Sequence, residues 1–200
     1  MSNVIEYSDM SGVEKIGNNN IIINSKFVGE GIVVGNNCTI KDCIIASSTT
    51  ITDSYLESSF VGKNVSIGPY SHLRPNCNIG DNCKIGNFVE LKNSQLGKGV
   101  KVSHLSYVGD AVIGDDCNIG CGVVFANYNG KNKNISIVGK KCFIGSNVNV
   151  VAPIKIKDET FVCAGTTITD DTENGDFVIG RVRASVNKKY SYYLRNKENG

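Results

Sequence analysis

Branched aliphatic residues recur along this chain at intervals of six. The beat runs Val61, Ile67, Leu73, Ile79, Ile85 and Leu91, with Gly62, Gly68, Gly80 and Gly86 following four of them. It resumes at Val138 and continues through Ile144, Val150, Ile156, Val162 and Ile168. Leu96, Val102, Val108, Ile113, Ile119 and Phe125 bridge the two runs with two five-residue steps. The amino-terminal part keeps time through Ile16, Ile22, Val28, Val34, Ile40, Ile45, Ile51 and Leu56. Neither a helix of period 3.6 nor an alternating strand gives a period of six. Short strands joined by tight Gly, Asn and Asp turns do. About 26 such units mark a repeat architecture.

Three units per coil make a triangular prism in which successive coils pair as parallel strands and bury one aliphatic column. Eight to nine coils would stand about 40 Å tall. Four residues after each aliphatic lies a second inward slot for small residues: Cys38, Ser71, Cys77, Cys83, Val89, Cys117, Val123, Cys142, Thr160 and Thr166. In the first 60 residues Asn20, Lys26 and Tyr55 take that slot, so looser coils are expected over 1–60 and regular ones over 61–172. The beat breaks between Phe125 and Val138, which sends residues 126–134 out of the prism as a loop. Residues 173–200 read as a basic, Tyr-rich tail, the whole chain forming a single domain.

Composition agrees with one all-β domain: 40% hydrophobic residues, 22 glycines, three prolines and no tryptophan. A net charge of +2 gives no support for a nucleic-acid or anionic-membrane partner. No signal peptide and no apolar run of about 20 residues is visible, so a cytoplasmic protein is expected. The eight cysteines include no Cys-x-x-Cys pair, and most fall in the small inward slot, as buried free thiols do. No metal site is expected.

The stacking also assigns candidate chemistry. Counting three units per coil puts Asn87, His104, Cys121, Ser146 and Ala164 in one corner column: a histidine heading a track of small residues. On the next face Arg74 and Lys92 are equivalent positions about 5 Å apart, a placement that invites an anion such as phosphate. Glu90 and Tyr107 occupy equivalent positions in successive coils near His104, and the loop carrying Asn127, Tyr128 and Lys133 leaves from the same face. A metal hydratase on such a prism would need three histidine ligands, and only His72 and His104 exist.

Ser71-His-Leu-Arg-Pro75, Gly86-Asn-Phe-Val-Glu-Leu-Lys92, His104-Leu-Ser-Tyr-Val-Gly-Asp110, Asn118-Ile-Gly120 and Ala126-Asn-Tyr-Asn-Gly130 follow one another in order. Together they resemble the acetyltransferase half of the bifunctional N-acetylglucosamine-1-phosphate uridyltransferase/glucosamine-1-phosphate acetyltransferases. Val150-Val-Ala-Pro153, Ala164-Gly-Thr-Thr167 and Arg181 continue the likeness. The resemblance implies a left-handed parallel β-helix, a hand that the repeat alone could not supply. It also implies a homotrimer with sites between subunits and a place in the synthesis of UDP-N-acetylglucosamine, a peptidoglycan precursor. By resemblance, His104 would be the general base, Glu90 would orient it, and Asn127 would stand at the reacting centre. Arg74, Lys92, Tyr107, Asn118, Asn127 and Lys133 would hold an amino-sugar phosphate. Cys121, Asn127, Tyr128, Ser146, Ala164 and Arg181 would contact acetyl-CoA. Imidazole suits removal of an amine proton near neutrality.

Two departures matter. The family's nucleotidyltransferase domain, with its Gly-rich loop, has no counterpart here, so uridyl transfer and its magnesium are not expected. Cys121 stands where the family has Ala. The expected activity is acetyl transfer to glucosamine 1-phosphate. The alternatives are another phosphorylated or nucleotide-linked amino sugar, or a non-catalytic subunit scaffolding a separate nucleotidyltransferase.

Overall fold

The structure, a computed structural model, describes residues 2–186. Its described residues form 28 short strands and no helix, so none is long and apolar enough to cross a membrane. The strands assemble into three parallel sheets of ten, eight and ten strands, joining every third strand of the sequence except for one step of two at an end of each ten-stranded sheet. The chain is a left-handed parallel β-helix, a triangular prism wound as a solenoid. The ten strands of a face exceed the eight or nine coils expected. Strands at Val4–Glu6 and Val13–Ile16 extend one end, and Phe177–Val178 extends the other. That last strand pairs with Phe161–Val162, so the tail begins later than residue 173. Its part from 187 onward lies outside the described residues.

The six-residue beat is the core. Leu73, Ile79, Ile85, Leu91, Val102, Val108, Phe125, Ile144, Val150 and Val162 are fully buried. Each contributes about 1.5–3 kcal/mol by leaving water. The small slot is buried as expected at Cys38, Ser71, Cys77, Cys83, Val89, Cys117, Val123, Cys142, Thr160 and Thr166. Near the amino terminus the phase differs from the expected one. Phe27, not Val28, points inward, and Ile16 is exposed. Ser25 and Ser54 fill the slot assigned to Lys26 and Tyr55, which face outward. Five-residue steps in that region displace the count by one. Strand pairing there stays in register except for one shift between Val13 and Lys15.

The corners follow turn chemistry. One corner column, Asn19, Asn37, Asp53, Tyr70, Phe88 and Leu105, has positive φ throughout. Asn and Asp visit that region readily, and here they ladder: Asn19 Nδ2 donates to Asn37 Oδ1 and Asn37 Nδ2 to Asp53 Oδ1, both at 2.8 Å. Tyr70, Phe88 and Leu105 have no such excuse, and they lead directly to His104.

Seven of the eight cysteines are buried free thiols; Cys121 is exposed. Burial pushes the Cys43 and Cys83 thiols up to about 11. No cluster of three or more potential metal ligands occurs among the described residues.

Candidate active site

His104 ends the strand Lys101–His104, where the chain turns a corner into Tyr107–Gly109. Gly86, one coil below, keeps this corner tight: a Cβ there would collide with the Ser103 carbonyl oxygen. Asn87 pairs in register with His104, and its Oδ1 lies 2.8 Å from His104 Nδ1. An amide oxygen only accepts, so Nδ1 carries the proton and Nε2 is the basic nitrogen. Asn87 holds the imidazole in this chain, while Glu90 Oε1 takes a hydrogen bond from Arg74 Nη1 at 3.0 Å. The side chains of that pair are 42% and 39% exposed, so it contributes little stability.

Register places Cys121, Ser146 and Ala164 in the column above His104, through Val102–Ile119, Ile119–Ile144 and Ile144–Val162 pairs. All three are exposed corner residues. Among the described residues their backbone N–H groups donate no hydrogen bond. Arg181 closes the top of the column, its Nη1 donating to the Ala164 carbonyl at 2.9 Å. The column is therefore a smooth track edged with free donors, a fit for an extended ligand rich in carbonyl oxygens.

On the adjoining face Glu90 and Tyr107 are register partners, and Lys92 pairs with Gly109. Arg74 and Lys92 stand at equivalent positions one coil apart, each following a member of the Leu73–Leu91 register pair. Arg74 also turns to Glu90, and the loop adds Lys133 beside Lys92. Lys133's ammonium, then burial, then the charge of Arg74 hold Lys92 below the ordinary lysine range, with Asp110 opposing. Two ammonium groups held together this way invite an anion between them.

The loop is a small hairpin, not an open excursion. Tyr128 and Lys133 form an antiparallel bridge, Tyr128 Oη donates to the Gly130 carbonyl at 2.7 Å, and Asn129 Oδ1 accepts from Lys131 and Asn132 N–H. At its base Asn127 is buried and its Nδ2 reaches Tyr107 Oη at 3.4 Å. Asn118 is not brought to this cluster within one chain. It lies on another face, in register with Lys101 and Phe143. Two participants carry no role in the sequence pattern as read above. Asn87 is legible from its 17-residue offset to His104; Asp110, bonded to Asn93 and Asn127, is not.

The prism, its corner histidine, the small-residue track and the extruded loop define a hexapeptide-repeat β-helix protein. Residues 58–176 match the family model described as the GMPPB C-terminal domain, and the chain belongs to that family. It is 44% identical over 176 residues to the protein named Bifunctional protein GlmU in Clostridium kluyveri, covering 88% of this chain and 38% of the relative. It is also 44% identical over 179 residues to the protein of that name in a Geobacillus species, covering 90% of this chain and 39% of the relative. The chain thus spans less than two fifths of the curated relatives it matches. Its fold is shared with a GDP-perosamine N-acetyltransferase from Caulobacter crescentus solved with CoA and GDP-perosamine. That likeness has a TM-score of 0.50 at 20% identity, over 56% of this chain and 50% of that one.

Proposed function

We propose that this chain is an acetyl-CoA-dependent N-acetyltransferase acting on an amino-sugar phosphate, with glucosamine 1-phosphate as acceptor. The observation that carries the reading is His104 at the foot of a donor-edged column, with the Lys92–Lys133 ammonium pair across the adjoining face. The sequence similarity to bifunctional GlmU proteins supports it. Lys92 and Lys133 bind the phosphate, with Arg74 beside them on Glu90, and this fixes the sugar amine near His104. Orientation of this kind lowers the barrier without bond making. The amine nitrogen attacks the thioester carbonyl while His104 Nε2 takes its proton, and CoA leaves as the thiolate. Oxygen charge developing in that step is met by backbone donors such as the Cys121 N–H. The protein works as a homotrimer, the neighbouring copy supplying groups such as Asn118 that one chain holds apart.

A second acceptor class has one observation in its favour. Beyond Arg74 an open groove of about 800 Å³ continues along the same face, lined by Tyr55, Tyr70, His72 and Asp53. A nucleoside attached through the phosphate would lie there.

The test is thiol release from acetyl-CoA with glucosamine 1-phosphate and nucleotide-linked amino sugars, run beside His104→Ala. Release that needs both the sugar phosphate and His104 supports the reading, with a loss of about 100-fold or more in the variant. Full rate without His104 sinks the mechanism. A wild type that neither releases thiol nor binds acetyl-CoA would move the assignment to a scaffolding subunit.

A further inference from the structure

Asp110 closes the run Tyr107-Val-Gly-Asp at a corner with φ of 51°. Its residue is 7% exposed. The backbone ties it in two directions: Asp110 N–H donates to the Lys92 carbonyl at 3.0 Å, and its carbonyl accepts from Ser136 N–H at 3.1 Å. Both carboxylate oxygens are taken by amides. Oδ1 accepts from Asn93 Nδ2 at 2.6 Å, and Oδ2 accepts a short hydrogen bond from Asn127 Nδ2. Buried carboxylates held in this way need nearby positive charge, and Lys92 feels Asp110 in the attractive sense.

An ionised carboxylate only accepts. The NH2 end of Asn127 must therefore face Asp110, and its second hydrogen is directed to Tyr107 Oη at 3.4 Å. Glycine at 109 leaves the room for this meeting, because a Cβ there would strike the Tyr107 hydroxyl and approach Asn127 Nδ2 at 2.9 Å. What remains is Asn127 Oδ1. It accepts nothing among the described residues, and it is not one of the buried unpartnered atoms, so it opens to the site.

We infer that Asp110 is a positioning residue that locks Asn127 carbonyl-outward, so that Asn127 accepts an N–H from the sugar amine and does not donate to the thioester oxygen. The reacting-centre role of Asn127 rests on the acetyl-transfer reading above; the lock does not. Holding one amine N–H fixes the direction of the nitrogen lone pair while His104 takes another proton. The oxyanion donors must then come from the backbone of the corner column. Tyr107 Oη, accepting from Asn127, keeps its own proton for the sugar phosphate.

The experiment has two arms. In protein labelled with 15N-asparagine, the Asn127 side-chain amide should exchange slowly with solvent in the wild type and lose that protection in Asp110→Ala. A fast-exchanging wild-type amide overturns the lock whatever the enzyme does. In the kinetic arm, Asp110→Asn should lower kcat about 10- to 100-fold with the KM for acetyl-CoA nearly unchanged. Asn127→Asp should do likewise, by setting two carboxylates together. The reciprocal pair, Asp110→Asn with Asn127→Asp, should recover to within about tenfold of wild type. In it the new amide at 110 donates to the new carboxylate at 127, whose other oxygen faces outward. A buried network with only a structural role would not give rescue in kcat. Full kcat in Asp110→Asn, or a reciprocal pair as poor as the product of the singles, overturns the inference. Should Asp110→Asn fail to fold, Asn127→Asp and the pair decide it. A wild type without turnover on any amino-sugar phosphate removes the acceptor role with the parent reading, and amide exchange then decides the lock alone.

Discussion

Lys92 and Lys133 sit together at a cost that a ligand can reverse. The folded pKa of Lys92 lies below that of the unfolded chain, so folding disfavours its charged form. The pair therefore detracts from stability at pH below the folded value, and the penalty fades as pH rises through the lysine range. An anion between the two ammonium groups removes it at neutral pH. Inorganic phosphate should raise Tm at pH 7, by about 2–4 °C for each kcal/mol of binding free energy. Lys92→Met should raise the Tm of the free protein and flatten the response to phosphate. A variant that keeps the full response would place the anion elsewhere. The same residues show how far single positions are legible in sequence. Periodicity alone puts Asn87 under His104 and Arg74 in line with Lys92, because register needs only counting. It cannot say that Arg74 bends to Glu90, or that Lys133 arrives from a loop that stands outside the repeat. Side-chain partners depend on reach and charge, which spacing does not encode. Asp110 stays hidden because an Asp at a corner ordinarily makes a turn, as Asp53 does.

Elements are more legible than partners, since a strand needs only its inward aliphatic and a turn needs only its small corner. The pattern misleads where steps of five meet runs such as Ile21-Ile22-Ile23 and Lys26-Phe27-Val28, in which several adjacent residues could face inward. Burial of Phe27 in place of Val28 resolves the phase by volume. Glycines differ in the same way. Gly86→Ala would push a Cβ into the Ser103 carbonyl, between two backbones that cannot part without breaking rungs. It should destabilise by about 1–3 kcal/mol or more and misplace His104. Gly130, at φ of 91° in the loop, has nothing within 4 Å of where a Cβ would stand. Gly130→Ala meets only local backbone strain of about 1–2 kcal/mol, at a segment whose opening leaves the prism standing. Urea unfolding of the two variants should rank Gly86→Ala as the weaker protein. Equal midpoints would mean that the coil spacing at this corner is slack.

At the scale of the molecule, one chain leaves a bulky apolar ridge uncovered. Tyr70, Phe88 and Leu105 occupy successive corners with φ of 60°, 57° and 44°, a region costly for bulky side chains. They are 60%, 57% and 59% exposed, so neither backbone comfort nor burial within the chain accounts for them. Tyr70 and Phe88 stack with centroids 5.5 Å apart, forming an apolar ridge that runs to the foot of His104. A neighbouring copy packed along this ridge would bury it and wall the column into a cleft. It would also bring in outward groups from another face, where Asn118 lies. This is the arrangement proposed above for the homotrimer, and it makes assembly and activity inseparable. Sedimentation should give three chain masses for the wild type. Phe88→Asp, charged in the middle of the ridge, should shift the protein toward monomer while its far-UV spectrum stays β-rich. Acetyl transfer should fall in parallel, and raising the protein concentration should restore both together by mass action. A monomeric variant with undiminished turnover would show that each prism carries a whole site, and the ridge would then need another partner.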